Sequence, residues 1–276
     1  MNDLFPAVLT IAGSDSGGGA GIQADLRTFH AFKVYGCSVI TAVTAQNPDA
    51  VRQVDVQSEK SVRAQLESVL EVIPVQFAKT GMLANREIVE CTAELIEKYA
   101  LQTVVDPVMV STSGTRLLAE TAISAVRDKL FPLARWITPN IPEAELLCGR
   151  KLPEPDALAE AALQLYRKYG CNCLLKSGHA LTSDKATDVI CYEGQLFSLS
   201  SPIASVQGHT AHGTGCTLSA ALAAGLASGK SWSQAVMTAK AFVYGSLCEN
   251  IKLNDRLSQM YPPVKNYFDQ ITLDKL

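Results

Sequence analysis

The 276-residue sequence has no apolar run of the roughly 18–20 residues that a bilayer span requires. Its opening stretch, MNDLFPAVLTIAG, lacks a basic segment followed by a long apolar one, so no secretory signal is expected. Eight cysteines, at 37, 91, 148, 171, 173, 191, 216 and 248, form no C-x-x-C pair, and the four histidines show no zinc spacing. Metal knuckles and a disulfide framework are therefore not expected, and a reducing cytoplasm is the expected compartment. Basic blocks and aromatic–basic interleaving are also missing. With a net charge of −3 and a pI near 5.8, nucleic acid and membrane are not expected as partners. No composition break, repeat or low-complexity tract divides the chain, so one domain over residues 1–276 is expected.

What is present is 47% hydrophobic and 18% charged, the balance of a well-buried globular protein. Short β-rich runs alternate with segments of helical period. AVLTIAG (7–13), SVITAVTAQN (38–47), VQFAKTG (75–81), TVVDPVMV (103–110), RWITPN (135–140) and CNCLLKSG (171–178) read as strands. Residues 20–34, 61–73, 85–99 and 156–169 read as helices between them, and 187–200 as a hairpin about Glu193-Gly194. Two small-residue helices, about 216–228 and 232–250, follow. This alternation predicts an α/β fold whose mostly parallel central sheet is flanked by helices on both faces. Such sheets bind ligands beyond the carboxyl ends of their strands.

Two glycine-rich turns stand at such places. GSDSGGGAG (13–21) joins the first strand to the first helix. It has neither the P-loop spacing nor a dinucleotide fingerprint with its acidic residue about 20 positions on. HGTGC (212–216) opens a helix, where Gly213, Thr214 and Gly215 present amide groups that suit an anion such as a transferring phosphoryl group. Cys216 sits where a helix dipole favours a thiolate, though a small buried hydrophobe is an equally ordinary state for a free cysteine. Tight strand–helix corners would also explain both turns.

The blocks TIAGSDSGGGAGIQADL, TAQN, KTGML, VVDPVMV, TPNIPEAELL and HGTGCTLSAAL occur in this order between residues 10 and 222. Together they resemble the hydroxymethylpyrimidine and phosphomethylpyrimidine kinases of thiamine biosynthesis, in the ribokinase-like superfamily. The resemblance implies a three-layer α/β/α domain without a separate lid domain, using ATP and Mg2+, often as a homodimer. It implies that Cys216 stands where the superfamily usually has an aspartate base. It places Asp106, Asn140, Glu143 and Lys176 with ATP, and Asp106 and Glu143 with the metal. On the residues alone, Asn140 would also serve as a helix cap, and Lys176 as a surface lysine.

For an aminopyrimidine, which shows an amine donor beside a ring-nitrogen acceptor, a primary amide is the matching partner, and Gln46 carries one. The same amide would also serve a loop end. Gly13 is expected to give a backbone contact, and Met82 and Val108 apolar walls. Asp25 matches a pocket position of the family, but alone reads as a solvated helix residue. His212 either orients the turn or completes a corner. Lys79 and Thr80 have no assigned role. The sequence departs from the family at Ser177, where Lys-Gly-Gly-His is usual, and at His209 and Ala211 before the second turn. The same glycine turns occur in Cys-containing pyridoxal kinases, the nearest alternative. A silent binding module is disfavoured by the joint presence of Asp106, Glu143 and Cys216, and a sugar kinase by cysteine at 216.

Overall fold

Strand β1 (Ala7–Asp15) is buried along almost its whole length. Val8 enters the core layer on one face, and Leu9 and Ile11 enter the layer on the other. A strand with two apolar faces needs helices on both sides, and the rest of the chain supplies them. The coordinates are a computed structural model, which describes residues 5–110, 117–178, 185–204 and 212–276.

After β1 come α1 (Gly21–Ala31), β2 (Tyr35–Gln46), β3 (Val51–Val56), α2 (Glu59–Leu70), β4 (Phe77–Thr80), α3 (Arg86–Lys98) and β5 (Gln102–Val105). Then follow α4 (Glu120–Ala125), β6 (Ala134–Ile137), α5 (Ile141–Cys148), α6 (Pro155–Tyr169) and β7 (Asn172–Leu175). The chain continues through β8 (Lys185–Tyr192), β9 (Gln195–Pro202), α7 (Thr214–Ala227), α8 (Trp232–Cys248), β10 (Ile251–Asn254), β11 (Leu257–Gln259) and β12 (Thr272–Lys275).

The main sheet has the order β12-β9-β8-β7-β6-β5-β4-β1-β2-β3. Strands β2, β1, β4, β5, β6 and β7 are parallel neighbours, while β3, β8, β9 and β12 add antiparallel edges. One layer, from α2 through α6, buries Leu66, Ile88, Ile96, Ile123, Leu147 and Leu165 against the sheet. The other, α1, α7 and α8, buries Phe29, Leu222 and Val236 with Trp136 and Leu174 of the sheet. Helix α7 lies between neighbours on several sides, so it carries alanines: Ala220, Ala221, Ala223 and Ala224 are fully buried. Nothing larger would let α1 and α8 approach it.

The three-layer α/β/α architecture predicted from the alternation is what the chain adopts. Its differences from the expected elements have local causes. The run 103–110 stops as a strand at Val105, because Pro107 has no amide donor and Val108 turns left-handed at φ 45°. Strand β3 was not expected: all six residues are exposed, so no burial period marks them. Strands β10, β11 and β12 and helix α4 are likewise short, with little apolar period. Among the described residues, no helix is long and apolar enough to cross a membrane.

With six strands parallel, their carboxyl ends gather on one edge of the sheet. Gly13 and Asp15, Gln46, Met82, Asp106, Asn140 and Lys176 all follow or finish strands there. Replacing Leu66, 1% exposed where α2 meets the sheet, by alanine is expected to lower unfolding free energy by about 2–5 kcal/mol, read from denaturant midpoints at unchanged slope.

Candidate active site

The two glycine-rich turns touch through their backbones. A Cβ at Gly213 would lie 1.9 Å from the carbonyl oxygen of Gly19, and Gly213 also needs φ 84° as the first, uncapped position of α7. A Cβ at Gly21 would lie 2.5 Å from the carbonyl oxygen of Gly13. These glycines are therefore set by close approach as well as by turning. The contact brings Cys216, on the first turn of α7, within reach of the Gly21 amide, which faces its sulfur.

Asp15 organises the first turn. Its Oδ1 accepts the Gly17 amide at 2.9 Å and its Oδ2 accepts the Ala20 amide at 2.8 Å. His212 Nε2 lies 3.3 Å from the same Oδ2. Burial pushes the Asp15 carboxyl up, but His212 and the two amides together outweigh it and hold the group below its ordinary value. His212 thus ties the second turn to the first. Residues 205–211, which include His209 and Ala211, lie outside the described residues.

On the expected nucleotide side, Lys176 Nζ donates to Asp106 Oδ1 at 2.8 Å, and Ser219 Oγ of α7 donates to Asp106 Oδ2 at 3.1 Å. A Cβ at Gly215 would lie 3.1 Å from Lys176 Nζ, so the ammonium rests against the entrance of α7. Burial alone would raise Asp106, but Lys176 and Lys79 prevail and keep it ionised below its usual range. Asn140 and Glu143 form a reciprocal cap on α5: Asn140 Oδ1 accepts the Glu143 amide and Glu143 Oε2 accepts the Asn140 amide, each at 2.9 Å. Glu143 Oε1 accepts the Met109 amide at 2.9 Å. The capping that the sequence left open for Asn140 is present, and its backbone bridges to Lys176. Glu143 differs from an open metal carboxylate: it is 1% exposed, both oxygens hold backbone amides, and burial pushes it up to about 7. Lys176 is no surface lysine; its side chain is 14% exposed. Among the described residues no three His, Cys, Asp or Glu side chains are gathered for a metal ion.

Beneath Cys216 lies a second buried cation. Lys79 Nζ donates to Asp25 Oδ1 at 3.0 Å and Oδ2 at 2.9 Å, and Thr10 Oγ1 donates to Oδ2 at 2.6 Å. Both charged side chains are fully enclosed. Asp25 is not the solvated helix residue that it resembles in isolation: it is buried, and the sheet cation bonds both of its oxygens, the partner that a carboxylate enclosed near Cys216 needs. Of the two states left open for Cys216, the surroundings favour the neutral thiol. Burial pushes the Cys216 thiol above its ordinary value, Asp106 and Asp25 add to this, and Lys79 only partly offsets them. Desolvation beside two carboxylates outweighs the helix dipole.

Gln46 ends β2 half-buried, with a loosely engaged amide. Its Nε2 is 3.5 Å from His212 Nε2, and its Oε1 is 3.3 Å from Thr44 Oγ1, whose proton goes to the Ser14 carbonyl at 2.7 Å. The amide is free to rebind a ligand edge. Gly13 faces the Met82 thioether, where a Cβ would meet the terminal carbon at 2.7 Å. Val108 sits beside Met109, whose amide holds Glu143. Sequence reasoning missed Asp15 and Ser219. Asp15-Ser16-Gly17 carries the signature of an aspartate turn, whereas nothing in the spacing marks Ser219.

With that geometry in view, comparison with known proteins is specific. The phosphomethylpyrimidine kinase family model matches residues 15–261. The hydroxymethylpyrimidine/phosphomethylpyrimidine kinase of Haemophilus influenzae is 45% identical over 250 residues, covering 89% of this chain and 92% of that one. Among solved structures, the pyridoxal kinase of Staphylococcus aureus in complex with ADP superposes with a TM-score of 0.88 at 34% identity, covering 99% of this chain and all of that one. A phosphomethylpyrimidine kinase from Clostridium difficile gives a TM-score of 0.76 at 39% identity, covering 86% of this chain and 97% of that one.

Gly213→Ala is expected to lower the thermal midpoint strongly and abolish turnover. Gly229→Ala, at φ 76° with nothing within 4 Å, should cost only about 1–2 kcal/mol and leave turnover unchanged. Equal effects of the two would contradict the backbone contact. In a Cys248→Ser background, iodoacetamide labelling of Cys216, followed by peptide mass spectrometry, should keep accelerating past pH 9.0, because a raised pKa leaves little thiolate below it. A plateau below pH 8 would contradict the neutral, half-buried thiol.

Proposed function

The chain belongs to the phosphomethylpyrimidine kinase family, and from that premise we propose that it moves the ATP γ-phosphoryl group at the corner formed by residues 213–216. The reaction is phosphorylation of 4-amino-5-hydroxymethyl-2-methylpyrimidine, and of its monophosphate to the diphosphate, in thiamine biosynthesis. The observation that carries the site assignment is the meeting of Lys176, Asp106 and the α7 entrance in one contact group.

Phosphoryl transfer needs in-line placement and neutralised charge more than covalent help. Lys176 lies where it can meet the phosphates, with Asp106 orienting its ammonium. The amides at the start of α7, where the N-cap residue Gly213 has no side chain to occupy them, face the charge that grows on the transferring group. Asp106 and Glu143 provide hard oxygens beside Lys176, a donor set that suits Mg2+ carried in on phosphates with several of its waters. The ion would neutralise phosphate charge. The two carboxylates would hold it, although Glu143 would first have to loosen an amide.

Gln46 reads the amine and ring nitrogen of the pyrimidine, Gly13 offers its backbone, and Met82 and Val108 cover the ring. Cys216 rests as a thiol, and a primary alcohol is a weaker acid still. Proton removal therefore runs late, as the new O–P bond forms, to the thiolate fraction that Lys79 favours. We take residues 1–276 as one cytoplasmic kinase domain. It pairs with a second copy through the β2–β3 edge, where Val51, Val54 and Val56 are 45–55% exposed and would otherwise leave an open strand.

The pyridoxal kinase reading keeps one observation in its favour, the higher structural overlap with the S. aureus pyridoxal kinase. With ATP and Mg2+, kcat/KM is expected to favour the hydroxymethylpyrimidine over pyridoxal; a preference for pyridoxal would overturn the substrate assignment. Cys216→Ser should lower kcat by about a hundredfold or more with little change in KM, and full turnover would remove Cys216 from proton transfer.

A further inference from the structure

Lys176 stands just past the end of β7, where the sheet gives it little support. Its backbone makes an isolated bridge to Asn140, and its amide donates to the Pro139 carbonyl at 2.8 Å. The next residue is held more firmly. The Ser177 amide donates to Asp188 Oδ1 at 3.0 Å, and the Ser177 hydroxyl donates to the Thr187 carbonyl. Asp188 in turn accepts Lys240 Nζ of α8 on its other oxygen, Oδ2, at 2.7 Å.

Asp188 is 3% exposed and Lys240 7%. Asp188 precedes Ile190 on β8 and Lys240 follows Ala239 on α8, beside the apolar layer that also holds Leu174 and Leu199, and among the described residues neither side chain hydrogen-bonds a residue assigned above to ATP or the pyrimidine. A buried ion pair is a poor route to stability, since apolar residues of similar volume often serve as well or better. What apolar residues cannot provide is a fixed acceptor for the amide beside Lys176. The serine adds a second anchor that the glycine usual at this place in the family would lack.

We propose that Lys240 and Asp188 are positioning residues that act through Ser177 to hold the Lys176 ammonium against Asp106 and the entrance of α7. Helix α8 thereby sets the geometry of the phosphate site through the sheet rather than by its own contact with Lys176. The proposal rests on Lys176 serving the nucleotide phosphates.

The test is steady-state kinetics with ATP and the hydroxymethylpyrimidine, alongside thermal unfolding, for D188L/K240M, K240R, S177A and K176A. D188L/K240M removes both charges together and, by leaving the Ser177 amide without its acceptor, should lower the thermal midpoint by a few degrees while the protein still folds. Its KM for ATP should rise about tenfold, as a displaced positioning group does, with KM for the pyrimidine unchanged. K240R, which keeps the pair, should restore KM for ATP to within twofold of the parent, a limit of about 0.4 kcal/mol. S177A, a milder change that tests the brace even if the double variant fails to fold, should raise KM for ATP about threefold through loss of one hydrogen bond. A purely structural role would change the thermal midpoint or the active fraction and leave KM for ATP alone. If K176A is impaired with ATP while D188L/K240M and S177A behave as the parent, the brace is overturned and the phosphate role of Lys176 stands. If K176A itself keeps parental ATP kinetics, the phosphate role fails, and the brace with it.

Discussion

The site depends on two backbone segments that approach with no side chain between them. Gly213 meets the carbonyl of Gly19, and Gly21 meets that of Gly13. Gly213 is required because a Cβ there would part the two turns, and Gly21 because a Cβ there would open the first turn and move its amide from Cys216; a Cβ at Gly19 or Gly13 would meet the His212 or Met82 side chain instead. Everything else is arranged around that seam. Asp15 and His212 fasten it on one side, and Ser219, Asp106 and Lys176 on the other. The fold prepares it by keeping α7 alanine-rich, so that the helix can lie deep enough for its first turn to reach the edge where six parallel strands end.

Charge at the seam alternates. Two enclosed lysines, Lys79 and Lys176, are each matched by an aspartate, Asp25 and Asp106. Lys176 is the one beside the α7 entrance, the place that the proposed function gives to phosphate, while Lys79 is fully enclosed. Cys216 lies between these pairs and is held neutral by burial and by the carboxylates. A neutral thiol tolerates the approach of a polyanion better than a thiolate would, since like charges in a poorly solvated site repel strongly. In the proposed mechanism the same feature keeps the thiolate fraction small, which limits the rate at which Cys216 can accept a proton.

The parallel core was legible because its strands are buried on both faces and bounded by glycine and proline. Strand β3 was not, because an exposed edge carries no burial period. The glycine turns gave the corner's position, and the six ordered blocks gave the family. The sequence did not reveal which charges face the cleft. Asp25 reads as a helix-surface residue and is instead the partner of a sheet lysine 54 positions away. Lys240 lies within a run of small and apolar residues, and only the folded α8 brings it to Asp188. Such pairings are long-range and leave no local spacing to read. The state of Cys216 was left open for a related reason: the helix start is visible in sequence, whereas the desolvation and the two nearby carboxylates are not.

The central claim is that Cys216 and the amides entering α7 face the point where nucleotide and pyrimidine meet. The most direct measurement is protection of Cys216 from iodoacetamide, in the Cys248→Ser protein, by the non-transferable analogue AMP-PCP with Mg2+ and the hydroxymethylpyrimidine. Protection by each ligand alone, and the strongest protection by both together, is the predicted result. A labelling rate at Cys216 that is unchanged when both ligands are bound at saturation would contradict the account.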